Sequence, residues 1–341
     1  MRITFLCPNL RISGGVRAIL TYADRLAVRR HRVDVIVPVR RKIRAFWRTL
    51  RGDKPEWLRE FHARITFVDA WRARSLPRAD VCVATAWPSA PVVAAASPRA
   101  GTKFYFVQGY ESLFAGRPED VDPTYRLPLR KIVISTWLRD LIREKFGHDS
   151  EVIVTPVDLG LFRRVPAHPD TSHPRVLMLH HSHFRKGVAD GLEAVARVKR
   201  KVPSLRLVGF GARALDPPVP YDEFHANLPQ ARMAWLYSGC DIYLCPSWDE
   251  GLSMAPMEAM ACGAALVTYD NGGCRDYARD GETALVAQRG DVEDLAAKLE
   301  RLAADPTFRA RLAARGESFI RSAFDWDRAV DRMEALFARA A

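Results

Sequence analysis

Two successive α/β domains, each a doubly wound parallel sheet, are the fold class this sequence predicts, on three observations. Short apolar, β-rich runs alternate with helical patterns through both halves, the alternation that builds parallel sheets by crossover connections. At 341 residues the chain is long for a single core. The charge is also divided: residues 1–160 hold 28 Lys and Arg against 16 Asp and Glu, while residues 161–341 hold 24 of each, so the net +12 lies wholly in the first half. A basic half beside a balanced half points to two domains with different partners, one of them anionic.

Taken in order, strands are expected at 3–7, 33–37, 65–68, 81–84, 103–107 and 131–135, with a helix over about 15–29 after the first of them. A strand at 152–156 closes a first domain of residues 1–162. The stretch 163–174, R-R-V-P-A-H-P-D-T-S-H-P, has three prolines and no periodicity and reads as a linker. A second domain, 175–324, repeats the alternation: strands at 175–180, 205–209, 242–245 and 265–268, and helices at 188–201, near 231–237, at 257–262, and from 292 and 307.

The apolar fraction of 48% suits a globular chain, and no tract is disorder-like. Six cysteines, Cys7, Cys82, Cys240, Cys245, Cys262 and Cys274, show neither C-x-x-C nor zinc spacing, which predicts buried thiols in a reducing compartment. The opening M-R-I-T-F-L-C-P reads directly as a strand, with no leader before it and no membrane-spanning run after it. These features place the protein in the cytoplasm, free or peripheral on the inner face of the cytoplasmic membrane. Residues 39–64 bear on the second choice. There Arg40, Arg41, Lys42, Arg44, Arg48, Arg51 and Arg59 are interleaved with Ile43, Phe46, Trp47, Leu50, Trp57, Leu58 and Phe61. Three readings fit: adsorption to an anionic membrane surface, a solvated helix whose apolar side faces the core, and contact with nucleic-acid phosphates.

Chemistry concentrates in D-E-G-L-S-M-A-P-M-E-A-M-A-C-G, residues 249–263. Strand 242–245 precedes it and Pro256 suits a first helical turn, so Glu250 falls at the carboxyl end of a strand and Glu258 in the next helix. In open parallel sheets ligands bind there, because loop and helix N-terminal amides, here of Gly251, Leu252, Ser253 and Met254, face anions. Carboxylates beside them can accept from paired sugar hydroxyls. Gly14 and Gly15 follow the first strand at a helix start, where bare backbone approaches a phosphate or sugar closely. After strand 175–180, H-H-S-H-F-R-K-G puts Arg185 and Lys186 before a helix, cations able to stabilise a departing diphosphate. His180, His181 and His183 lack a carboxylate or Cys at ligand spacing, so no metal is expected.

The pattern E-G-x(6)-E-A-M-A-C-G resembles the signature of family 4 nucleotide-sugar glycosyltransferases, retaining enzymes of the GT-B fold. That resemblance covers nearly the whole chain, including the closing F-D-W-D-R-A-V, and implies two domains facing a cleft, with a final helix at 325–341 crossing back to the first. It further implies that Glu250 contacts the transferred sugar, Glu258 the nucleotide ribose, and Gly14 and Gly15 the donor. The Gly-Arg that usually opens the 180–187 region is missing; only Lys186–Gly187 matches. A His common at a first-domain strand end is also missing from V-C-V-A-T-A-W-P-S-A, where Trp87 and Ser89 stand.

Two further strings, V-Q-G-Y-E-S-L and I-S-T-W-L-R, are similar to bacterial surface-polysaccharide enzymes, rhamnosyltransferases among them. Gln108, Tyr110, Glu111 and Trp87 are then acceptor-side candidates. The expected activity is retaining transfer of a sugar from a UDP-, dTDP- or GDP-sugar to a hydroxyl of a glycan or lipid-linked acceptor, without metal or other cofactor. Two other classes stay open: another GT-B enzyme, epimerase or phosphorylase, and a basic nucleic-acid-binding protein, although the last leaves Glu250 and Glu258 unexplained.

Overall fold

Near-continuous apolar runs, covered on both faces, form the strands of two parallel sheets. The computed structural model describes residues 1–39, 41–54, 60–166, 173–215 and 219–341. Of the residues singled out above, Arg40, Trp57, Leu58, Arg59 and the linker segment 167–172 lie outside the described residues. The chain divides into two units: Met1–Thr155 with Asp327–Ala341, and Pro156–Trp326.

The first unit runs β1 (Arg2–Leu6), α1 (Gly14–Val28), β2 (Arg32–Pro38), α2 (Lys42–Leu50), β3 (Arg64–Val68), β4 (Val81–Ala84), α3 (Ala90–Ala94), β5 (Thr102–Val107), α4 (Pro118–Tyr125), β6 (Arg130–Val133), α5 (Thr136–Phe146) and β7 (Ser150–Val152). Its strand order is β3-β2-β1-β4-β5-β6-β7. Every pairing in it is parallel. The direction of winding reverses between β1 and β4, which leaves a crevice at their carboxyl ends. Ser13 caps α1 by accepting from the Val16 N–H at 3.2 Å, satisfying a first-turn donor above that crevice.

The second unit runs β8 (Arg175–Leu179), α6 (Val188–Lys201), β9 (Arg206–Gly211), β10 (Glu223–Ala226), α7 (Gln230–Ser238), β11 (Ile242–Cys245), α8 (Met254–Ala261), β12 (Ala265–Tyr269), β13 (Leu285–Ala287), α9 (Val292–Ala304) and α10 (Pro306–Ala323). Its order, β10-β9-β8-β11-β12-β13, reverses between β8 and β11. Val176, Met178, Leu244 and Val267 from the strands pack with Val195 of α6 and Leu299 of α9 in one buried core. The last helix, α11 (Trp326–Ala338), lies almost wholly within the first unit. There Phe337 is fully buried, its ring 5.0 Å from Phe104, and Arg29 and His31 reach Glu334 at 2.8 and 2.7 Å.

Several element bounds differ from expectation. The strand expected at 152–156 is instead β7, Ser150–Val152. After the Ile153 N–H bonds Val133 the chain leaves the sheet edge, and Pro156 has no N–H to continue a ladder. β10 and β13, both edge strands of three or four residues, were not anticipated. The helix expected at 257–262 begins three residues earlier, so Pro256 occupies the third helical position, where its missing N–H still costs no helical hydrogen bond. All six cysteines are free and buried, and burial pushes the Cys7, Cys82, Cys240, Cys262 and Cys274 thiols up to about 12. Among the described residues no helix is long and apolar enough to cross a membrane.

Candidate active site

Four loops of the second unit, following β8, β11, β12 and β13, supply the charged residues at the carboxyl ends of neighbouring strands. The first two flank the winding reversal. They are held together by backbone: Trp248 donates its N–H to the Arg185 carbonyl at 2.8 Å. Gly187, at φ +62°, packs so that a Cβ would run into the Pro246 carbonyl. The β12 loop joins the β11 loop in the same way. Glu250 donates its N–H to the Asn271 carbonyl at 3.0 Å, and a Cβ on Gly273 would lie 2.7 Å from the Leu252 nitrogen. The glycines of Y-D-N-G-G thus permit a close backbone approach.

On this frame Lys186 Nζ meets Glu250 Oε1 at 2.7 Å, with side chains 21% and 10% exposed. Next to them Asp249, buried, accepts from two guanidinium groups on one oxygen, Arg185 at 2.6 Å and Arg289 at 2.9 Å. The fixed carboxylate preorganises two arginines that would otherwise repel. Phe184, exposed, stacks on His183 and sets its ring edge-on to Trp248, while the Trp248 indole donates to Asp190 at 2.8 Å. His181 accepts the His183 N–H on Nδ1 at 3.0 Å, leaving the proton of the neutral ring on Nε2, and burial pulls its pKa below the ordinary 6.5. Among the described residues no group of three or more His, Cys, Asp or Glu is arranged to hold a metal ion.

Gly251, Leu252, Ser253 and Met254 lead into α8. Ser253 sits at φ +66°, ψ 96°, a region that L-residues avoid, and its side chain does not cap the helix. Strain of this kind, of order 1–3 kcal/mol, persists where the surroundings impose it and concentrates at functional loops. Glu258, buried within α8, accepts from the Tyr237 hydroxyl at 3.0 Å. The second unit thus gathers Arg185, Lys186, Glu250 and the 251–254 turn around two strand ends. Asp249 and Arg289 join them unforeseen.

The first-unit candidates gather at that unit's own winding reversal. A Cβ on Gly15 would lie 3.2 Å from the Gln108 carboxamide oxygen, so Gln108 covers the glycine backbone that opens α1 beside Gly14. Glu111 accepts from the Trp87 N–H at 3.0 Å and from the Tyr105 hydroxyl at 3.5 Å. Tyr110 is buried, and its hydroxyl donates to Asp122 at 2.9 Å.

Burial pushes the Glu111 carboxyl from 4.5 up to about 7, against the opposing pull of the Trp87 amide. The folded chain therefore keeps, between those two pH values, a proton that the unfolded chain releases, so stability falls as pH rises through that window. Glu111→Gln should flatten this part of the melting-temperature profile; an unchanged profile would show that the group is not the one titrating.

Residues 163–319 match the family model described as Glycosyl transferases group 1. The chain is 33% identical over 267 residues to the O-antigen biosynthesis protein RfbC of Myxococcus xanthus, covering 76% of this chain and 20% of that protein. It therefore spans about a fifth of the length of that relative. Sucrose-phosphate synthase from Thermosynechococcus elongatus superposes with a TM-score of 0.80 at 17% identity, covering 99% of this chain and 98% of that one. HepE of Anabaena, solved in complex with UDP and glucose, superposes with a TM-score of 0.77 at 16% identity, covering 99% and 100%. At such identities the likeness speaks for the fold, the GT-B architecture of two parallel-sheet α/β domains. Residues 163–319 thus carry a glycosyl transferases group 1 domain, in a chain of the GT-B architecture.

Proposed function

We propose that the chain transfers a sugar, with retention of anomeric configuration, from a UDP-, dTDP- or GDP-sugar to a hydroxyl of a glycan or lipid-linked acceptor in cell-surface polysaccharide synthesis. The work is placed at the inner face of the cytoplasmic membrane and needs no metal. One observation carries the reading: Lys186 paired with Glu250 at 2.7 Å, beside Arg185 and at the turn into α8. That combination offers cations for a diphosphate and carboxylates for sugar hydroxyls within one set of loops. The UDP and glucose seen with HepE, which shares the fold, support the same ligand class.

As the bond between the sugar's anomeric carbon and the phosphate oxygen breaks, negative charge grows on the diphosphate. Lys186 and Arg185 are placed to stabilise it. Glu250 accepts from hydroxyls of the transferred sugar, and Glu258 from the ribose. The acceptor hydroxyl attacks from the face that the diphosphate leaves, its oxygen bonding to the anomeric carbon while its proton passes to the departing phosphate oxygen. Gln108, Tyr110, Glu111 and Trp87 belong to the acceptor side.

The test is a melting-temperature panel with UDP, dTDP, GDP, ADP and CMP, followed by NMR of the product formed from the matching nucleotide-sugar in the presence of EDTA. A ligand at a hundred times its Kd adds about 2.7 kcal/mol, which corresponds to a rise of roughly 5–10 °C. A rise selective for one nucleotide and a product of unchanged anomeric configuration are expected. No rise with any nucleotide would overturn the donor assignment, an inverted product the stereochemistry, and loss of turnover in EDTA the metal independence.

A further inference from the structure

We infer that α2 is a membrane-docking helix whose occupant is the surface of an anionic phospholipid bilayer. The four large apolar residues of this nine-residue helix are turned outward: Ile43 is 70% exposed, Phe46 61%, Trp47 50% and Leu50 66%. They are four of the seven large hydrophobic residues exposed among the described residues. The side that meets the sheet carries small residues instead. Ala45 is buried, and the Thr49 hydroxyl is tied to β3, accepting from the Phe67 N–H at 2.8 Å. Of the sequence readings of this segment, an apolar side facing the core is therefore ruled out for α2.

At about 100° per residue, positions 43, 46, 47 and 50 form one stripe and 44, 48 and 51 the adjoining one. The second stripe is entirely arginine, and Arg41 precedes the helix. An open depression of about 730 Å³ beside it is lined by Arg44, Trp47, Arg48, Arg51 and Asp53. Its single carboxylate among the described residues is matched, Asp53 lying 3.0 Å from Arg48, so the stripe keeps a net positive charge. An apolar stripe flanked by guanidinium groups and an indole is what the bilayer boundary accommodates: acyl chains for the first, lipid phosphates for the second, and the mixed interfacial layer for the tryptophan. A protein partner or a second copy would require acidic groups facing three arginines. Duplex nucleic acid would leave the four apolar side chains in water.

Docking through α2 goes beyond the proposed reaction and does not depend on it, so the test needs no substrate. The 341-residue chain is floated with vesicles of phosphatidylglycerol and phosphatidylcholine, and with phosphatidylcholine alone, at low and high salt. Flotation with the anionic vesicles only, weakened by salt, is expected. Each basic residue near an anionic surface is worth about a fivefold change in partition, so Arg44→Ala with Arg51→Ala should lower it roughly 25-fold. Phe46→Ser with Leu50→Ser should abolish flotation even at low salt. Both pairs replace exposed side chains, and an unchanged melting temperature certifies their fold. No flotation of the unaltered chain, equal flotation of the chain and both double variants, or a concentration-dependent dimer that the Phe46 and Leu50 substitutions abolish without any vesicle binding would each overturn the inference.

Discussion

Lys186→Ala should lower kcat by about 10²- to 10³-fold, the usual consequence of deleting one preorganised donor to a developing negative charge. The same substitution should also lower the melting temperature, for a separate reason. Glu250 has a side chain only 10% exposed, and its Oε1 lies 2.7 Å from the lysine. Removing the cation leaves that carboxylate with an unmade bond, which costs about 1–3 kcal/mol. The two effects come apart in the double variant Lys186→Ala with Glu250→Gln. A neutral carboxamide needs no counter-ion, so the melting temperature should recover while turnover stays as low as in the single variant, or lower. Recovery of turnover together with stability would mean that Lys186 serves only to neutralise Glu250, and would remove it from the reaction.

What the sequence disclosed follows from how far apart the interacting residues are. β11, its turn and α8 form a contiguous unit with their own hydrophobic and proline signals, so Glu250 and Glu258 could be placed from residues 241–263 alone. Arg185 and Lys186 were legible as cations before a helix, but not their partners, because Asp249 and Glu250 lie 64 positions away. Arg289 was missed altogether. It follows a three-residue edge strand too short for a periodic signal, and its role as the second guanidinium on Asp249 exists only once β12 and β13 lie side by side.

The surroundings of Tyr110, an aromatic residue in a motif-like string, were equally hidden: its hydroxyl donates to Asp122 and its ring lies 5.8 Å from Tyr125. Residue type offers the aromatic side chain, but the partners that hold it appear only in the folded chain. In α2 the periodicity was readable but its direction was not. A hydrophobic stripe looks the same whether it faces a core or the outside, and only Ala45 and Thr49 against the sheet decide which.

Gly187→Ala should lower the melting transition of the second unit by roughly 6–12 °C, about 3 kcal/mol or more, and with it abolish nucleotide-induced stabilisation. Two penalties act at once. At φ +62° an alanine takes on the left-handed strain of about 1 kcal/mol that glycine avoids. Its Cβ would also be driven into the Pro246 carbonyl, a backbone atom that cannot rotate away. Relief requires the loop after β8 to part from the loop after β11, the two segments that carry Lys186 and Glu250. Gly290→Ala isolates the first penalty. That glycine has φ +76° in the same unit, with nothing within 4 Å of its added Cβ, so its substitution should cost only the backbone strain, about 1 kcal/mol. The excess loss at position 187 then measures how tightly the two loops are pressed together. Equal melting temperatures for the two variants would show that the loops separate freely, and the Lys186–Glu250 geometry could then not owe its fixity to that contact.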